Sequence, residues 1–379
     1  MLRFVVYVNV ELEVSSFCKA PFTQMSIDPR GAILPCCRYP KPLAYLKDEK
    51  IDDAWNNDNF KELRQRFLDG EKPEECADCW HAEDAGGKSL RWVQNYWAKD
   101  MEFDSTEVET PPFFYELKTT NVCNLKCRMC GSFNSSQIAK ETETIEVRKH
   151  YLSNKIIGTH HEPILKKWLL NSRYILFAGG EPFVNGEIRK IMEYLDENNL
   201  LENIHIQIVT NGTHYNDQFV DQFRKIKDFE LKISLDDIEE RNDYQREGSD
   251  FEEIERNIIK FWYDFKGSME FNCTINWYNI WDIDEFFQFA DDYITPVSVQ
   301  FVENPKFLNI TNLPEKVKEK INLKYKNSTD DRIKLILNRM NLQGEDQLEN
   351  FWKHVNHYDE LRDNDFRKTF PEWSNIIDL

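Results

Sequence analysis

Six short stretches beyond residue 112 carry β-type patterns of apolar, β-branched and aromatic residues: 113–120, 174–177, 204–209, 230–235, 269–276 and 297–302. Helical spacing fills the intervals. Strands alternating with helices predict βα units with right-handed crossovers, hence a parallel sheet. The interval 132–170 is long for one crossover and is expected to hold two helices broken at 158–162. Ahead of this region the pattern differs. Two short β-type runs, 23–27 and 32–34, flank the turn signal Asp28-Pro29-Arg30-Gly31, and a helical run over 51–68 places Ile51, Trp55, Phe60, Leu63 and Phe67 on one face and stops at Gly70. Residues 1–14 alternate through Tyr7, Asn9, Glu11 and Glu13, a strand pattern rather than a signal peptide. After Leu313-Pro314 come charged helices through about residue 340, another over 346–361, and a final F-P-E-W segment.

These patterns divide the chain into an N-terminal module (1–100), an acidic, proline-bearing linker (101–112), an α/β region (113–312) and a C-terminal helical extension (313–379). A chain of 379 residues with 41% hydrophobic, 13% aromatic and 30% charged residues can fill a core and cover it. The formal charge of −19 argues against duplex nucleic acid as a partner, because phosphate tracking needs clustered Lys and Arg. No apolar run is long enough to span a bilayer, and the expected compartment is the cytoplasm.

The nine cysteines are clustered. In a chain without a secretion signal, such clustering points to metal ligation rather than disulfides. Cys123, Cys127 and Cys130 stand at C-x3-C-x2-C spacing within N-V-C-N-L-K-C-R-M-C-G. An iron-sulfur cubane has four irons and is normally held by four thiolates. A trio leaves one iron for a small-molecule ligand. Half of a zinc site is the alternative, since zinc takes the same thiolates. Cys18, Cys36, Cys37, Cys76 and Cys79 form a second group before residue 80, with Cys36 and Cys37 following the expected hairpin and Cys76 and Cys79 in E-E-C-A-D-C-W. Zinc or an iron-sulfur cluster would suit these too.

At the trio the sequence resembles the radical SAM superfamily, whose C-x3-C-x2-C loop carries a [4Fe-4S] cluster with S-adenosylmethionine (SAM) on the fourth iron. F-A-G-G-E-P, at the end of the next β-type run, resembles the family motif that binds the methionyl amino group of SAM, here Gly179, Gly180, Glu181 and Pro182. By the same resemblance Asn211 lies at the third strand end, Ser234 or Asp236 stand where ribose hydroxyls are bound, and Asn276 is placed for a polar contact to SAM. Arg246 stands where the family has an Arg near the SAM carboxylate, although Asp237 replaces the usual Gly before it; an exposed loop Arg is the alternative.

The first module resembles SPASM and twitch auxiliary-cluster domains. Cys18, Cys36, Cys76 and Cys79 match that pattern and Cys37 is the spare, although in many family members the module follows the barrel instead of preceding it. The resemblance implies an α/β fold with a partial (β/α)6 radical SAM barrel, a small N-terminal cysteine-rich α+β domain and C-terminal helices. It also implies two cofactor assemblies: a [4Fe-4S] cluster bound by three cysteines and SAM, and an auxiliary [4Fe-4S] cluster. The implied enzyme cleaves SAM reductively to a 5′-deoxyadenosyl radical that abstracts hydrogen, with an electron donor such as flavodoxin or ferredoxin. Peptide or protein modification is the leading substrate class and a small molecule or nucleotide-sugar the second. A non-catalytic iron-sulfur or zinc protein serving electron transfer or scaffolding is the rival class. No catalytic acid, base or radical relay is identified by any motif.

Overall fold

The computed structural model describes residues 16–46, 50–84, 88–142, 162–265 and 268–377. The expected strand pattern over 1–14 and the expected break at 158–162, apart from Glu162, lie outside the described residues. Among the described residues no helix is long and apolar enough to cross a membrane. Two compact units divide the chain, the first being Met1–Asn124, Ser132–Val209 and Asn216–Leu231 and the second Leu125–Gly131, Thr210–Tyr215 and Lys232–Leu379.

The first unit is built on strands β1 (Gln24–Ile27), β2 (Ala32–Leu34), β3 (Ala44–Tyr45), β4 (Phe114–Leu117), β5 (Tyr174–Phe177) and β6 (His205–Thr210) in the order β3-β2-β1-β4-β5-β6. β1 and β2 form the expected antiparallel hairpin, while β1 lies parallel to β4 with Ser26 opposite Glu116. The cysteine module and the start of the α/β region therefore share one sheet. β4, β5 and β6 follow in parallel register. Tyr115, Leu117, Ile175, Phe177, Ile206 and Ile208 are fully buried, as expected for strands of a parallel sheet covered by helices. The strand order is linear, so the sheet is open and not a closed barrel.

The helical run over 51–68 is two helices, Ile51–Trp55 and Asp58–Leu68. Asn57 separates them because its side chain accepts from the Phe60 N–H at 3.0 Å and caps the second helix. The segment 101–112 contains no helix or strand, but it is pinned: Arg64 donates to the Thr106 carbonyl at 2.9 Å, Asn56 to that of Val108 at 2.9 Å and Trp55 to that of Thr110 at 3.0 Å.

The last three residues of β7 (Asp228–Ser234) belong to the second unit, followed in sheet order by β8 (Met269–Ile275) and β9 (Val297–Phe301). β8 and β9 are parallel. The helix Phe251–Phe265 buries Phe251, Ile254, Ile258, Phe261 and Phe265, a single apolar face. The C-terminal helices Glu315–Tyr325, Asp331–Met340, Leu348–Arg362 and Pro371–Ile377 follow. Two of them cover the turn after β8: Trp373 donates its indole N–H to the Trp277 carbonyl at 2.5 Å, and Phe351 lies 4.8 Å from the Trp277 ring.

Candidate functional site

Four of the five N-terminal cysteines surround one cavity. Cys18, Cys36, Cys76 and Cys79 line a small cavity, partly open to solvent, together with Arg38 and Arg91. Cys36 is delivered by the chain leaving β2, Cys76 closes the short turn Glu74–Cys76, and Cys79 is in the helix Ala77–Asp84. Cys37 is exposed and outside the cavity lining, in electrostatic contact with Glu116 and Lys118. Burial pushes the Cys76 thiol up to about 12 and raises Cys18, Cys36 and Cys79 as well. A metal must therefore displace the protons as it binds. A single zinc ion would draw its four sulfurs to about 2.3 Å. Among the described residues no three Cys, His, Asp or Glu side chains are gathered to hold one metal ion. Four thiols lining one cavity match the ligand count of a polynuclear iron-sulfur cluster.

At the C-terminal end of β4 the chain turns into the cysteine loop, against which the G-G-E-P turn is pressed. The Glu181 N–H donates to the Val122 carbonyl at 2.8 Å. Gly180 has φ +60°, and a Cβ there would stand 2.4 Å from the Val122 oxygen and 3.1 Å from the Thr120 oxygen. Only glycine permits that approach. A Cβ on Gly179 would likewise meet the Lys118 side chain at 2.7 Å. Glu181 is 1% exposed and its Oε1 accepts from the Phe183 N–H at 3.0 Å, while Pro182 begins the following turn. Ser136 accepts from the Cys123 N–H at 3.3 Å, and Asn121 donates to the Ser132 carbonyl at 2.9 Å. The loop leaves β4 on fixed supports.

One charged group on β4 was not singled out from the sequence. Glu116 is buried, 3.0 Å from Lys118 Nζ, and accepts from Ser26 Oγ at 3.1 Å. The Glu116 carboxylate holds the Lys118 ammonium above its ordinary pKa. Strand alternation was the available signal, since residues 116 and 118 share a face. Farther along the sheet Tyr174 donates to Gln207 at 2.8 Å and Gln207 to Glu230 at 2.6 Å.

In the second unit the rest of the cysteine loop is held by backbone pairing: Lys126 N–H to the Glu247 carbonyl and Arg128 N–H to that of Gln245, both at 2.8 Å. Burial raises the Cys127 thiol and pushes Cys130 up to about 12, with the Arg246 cation opposing both shifts. Arg246 is 7% exposed and lies 2.7 Å from Asp236 Oδ2; of the two sequence alternatives, the exposed loop residue is not what the structure contains. Asp236 Oδ1 also accepts from the Thr274 N–H at 2.8 Å. Asn276 is fully buried, donates to Gln245 at 3.2 Å and to the Thr274 carbonyl at 2.9 Å, and accepts from the Tyr278 N–H at 2.7 Å. Asn211 accepts from the Thr213 N–H and hydroxyl at 3.0 and 2.7 Å. Ser234 is half-buried at the end of β7.

Residues 117–261 match the family model of the Radical SAM superfamily, and residues 18–80 match that of the SPASM iron-sulfur cluster-binding domain. Among curated proteins the chain is similar to an uncharacterized protein of Methanocaldococcus jannaschii, 32% identical over 124 residues that make up 32% of this chain and 38% of the relative. Among solved structures it is similar to native anSMEcpe with bound AdoMet and Cp18Cys peptide, at 18% identity and a TM-score of 0.41, covering 66% of this chain and 60% of that one. It is also similar to Streptococcus suis SuiB bound to precursor peptide SuiA, at 14% identity and a TM-score of 0.38, covering 79% and 64%. Each match spans less than two thirds of the relative's own length.

Proposed function

We propose that the chain, which matches the radical SAM model over residues 117–261 and the SPASM model over residues 18–80, is a radical SAM enzyme of the SPASM type that modifies a peptide or protein by hydrogen abstraction. The observation that carries the reading is the hydrogen bond from the Glu181 N–H to the Val122 carbonyl, with Gly180 closed onto the same oxygen. It locks the G-G-E-P turn to the residue preceding Cys123, and neither motif would require the other in an iron-sulfur scaffold.

In this reading Cys123, Cys127 and Cys130 hold the [4Fe-4S] cluster that SAM completes, and Cys18, Cys36, Cys76 and Cys79 hold the auxiliary one. When bound, the cluster and SAM supply a 5′-deoxyadenosyl radical that takes a hydrogen atom from the substrate. The chain's own groups bind and orient. Gly179 and Gly180 let the backbone approach SAM, and the buried Glu181 carboxylate accepts from the methionyl ammonium. Of Ser234 and Asp236, the half-buried Ser234 serves the ribose hydroxyls, while Asn211 and Asn276 shape the turns beside it. Arg246, held by Asp236, offers a cation to the SAM carboxylate. An electron donor of the flavodoxin or ferredoxin kind supplies the electron. The nine free cysteines suit a reducing cytoplasm.

The SPASM domain supports a peptide substrate, because proteins of that type often act on peptides. Ser26, Glu116, Lys118 and Gln207, hydrogen-bonding groups on the sheet of the first unit, would match amides better than an apolar ligand. The test is to give the anaerobically reconstituted protein SAM, reductant and either a peptide pool or a panel of nucleotide-sugars. Peptide-stimulated 5′-deoxyadenosine release with a mass change in one peptide supports the reading. Stimulation by a nucleotide-sugar alone overturns it.

A further inference from the structure

The helix Leu348–Arg362 lies outside both domain matches, yet within the second unit it grips the cysteine loop. The Arg128 side chain, between Cys127 and Cys130, is 0% exposed and sends Nη2 to Asp359 Oδ1 at 2.8 Å. Its Nε donates to the Tyr244 carbonyl at 3.0 Å, and the guanidinium lies 3.7 Å from the centre of the Tyr244 ring. The same Asp359 oxygen accepts from the Tyr244 hydroxyl at 2.6 Å, and Oδ2 accepts from the Phe366 N–H at 2.8 Å. One turn on, Arg362 donates to the Lys126 carbonyl at 2.9 Å. Both neighbours of Cys127 are thus tied twice, to residues 245–247 through the backbone and to this helix through side chains.

A buried arginine whose charge is met by one carboxylate is costly to disturb, because removing the partner leaves the cation without compensation in a poorly solvated place. The fixed guanidinium anchors residue 128, between Cys127 and Cys130, to this helix. We infer that Asp359 is a positioning residue for the cluster site: through Arg128 and Tyr244 it holds the loop in the conformation in which its cysteines accept iron. This rests on the reading that Cys123, Cys127 and Cys130 carry a SAM-binding cluster.

The test compares wild type with Asp359→Asn, Asp359→Glu, Tyr244→Phe and the control Glu360→Gln, which removes an exposed carboxylate from the same helix. Each is reconstituted anaerobically and read by iron per chain, by the SAM-dependent electron paramagnetic resonance signal of the reduced cluster, and by circular dichroism. Two cubanes correspond to about eight irons. Asp359→Asn is expected to fall toward about four, losing the SAM-responsive signal at least threefold while the auxiliary signal and the circular dichroism remain. Tyr244→Phe, which deletes only the hydroxyl, should weaken the signal less, and Asp359→Glu should recover part of it. Should Asp359→Asn fail to fold, Tyr244→Phe decides: a wild-type signal overturns the inference. A folded Asp359→Asn protein with wild-type iron and signal overturns it equally. If wild type itself gives no SAM-responsive signal, it is the underlying reading that fails.

Discussion

Replacing Gly180 with alanine tests whether the G-G-E-P turn must close on the cysteine loop. The added Cβ would stand 2.4 Å from the Val122 oxygen and 3.0 Å from its carbon. Reaching ordinary van der Waals contact requires a shift of about 1 Å in a carbonyl whose hydrogen bond from the Glu181 N–H is 2.8 Å long. Losing that bond costs about 1 kcal/mol, and an alanine at φ +60° costs a further 1–2 kcal/mol or so. The total is roughly 2–3 kcal/mol, applied where Glu181 and Cys123 are aligned. If half of it is expressed in the bound state, SAM affinity falls about five- to tenfold, since 1.4 kcal/mol is a factor of about ten. Gly131 and Gly186 are internal controls, because a Cβ at either meets nothing within 4 Å. Anaerobic calorimetry of SAM binding to the reconstituted proteins should find Gly131→Ala and Gly186→Ala within about threefold of wild type, under 0.7 kcal/mol or so. A Gly180→Ala protein that binds SAM as tightly as Gly131→Ala refutes the reasoning.

Iron analysis of single Cys→Ser variants at 18, 36, 76 and 79 should show loss of about four irons per chain, whereas Cys37→Ser, outside the cavity, retains the full complement. Arg64 is fully buried and donates to the carbonyls of Pro21, Trp55 and Thr106 and to Asn56 at 2.7–2.9 Å; Arg64→Ala strands these acceptors and should cost about 3–5 kcal/mol in denaturant unfolding. His205 stacks on Tyr174, and burial there pulls its pKa down, but Glu230 and Asp228, the latter at 3.1 Å, more than offset this and the net shift is upward. A raised folded-state pKa adds stability that is complete below the unfolded value, about 6.5, and disappears as pH rises through the folded value. Stability of the first unit should therefore decline as pH rises from about 6.5 through the folded value, and His205→Gln should flatten the decline.

The strands of the α/β region were legible because parallel strands under helices are continuous apolar runs; the expected 204–209 and 297–302 are His205–Thr210 and Val297–Phe301. The expected 51–68 helix was too long because apolar spacing continues across Asn56-Asn57 while the Asn57 side chain ends the hydrogen-bonded ladder. β3 escaped notice because two residues carry no pattern. The parallel pairing of β1 with β4 is non-local and leaves no trace in either strand's own sequence. Cys36 and Cys37 are chemically equivalent neighbours in the sequence, and only the folded chain turns one into the cavity and the other away. The C-terminal helices were visible by spacing, but the grip of Asp359 on Arg128 joins residues 231 positions apart and was beyond reach. Motif chemistry sits in contiguous residues and survives reading from sequence; the partners that orient it do not.

The central claim is that this chain binds SAM at a three-cysteine cluster and cleaves it. Purified without oxygen, reconstituted with iron and sulfide and reduced with dithionite, it should convert SAM to 5′-deoxyadenosine and methionine, and Cys127→Ala should abolish that product while the auxiliary iron stays bound. Protein that carries both clusters and leaves SAM intact under strong reductant would contradict the account.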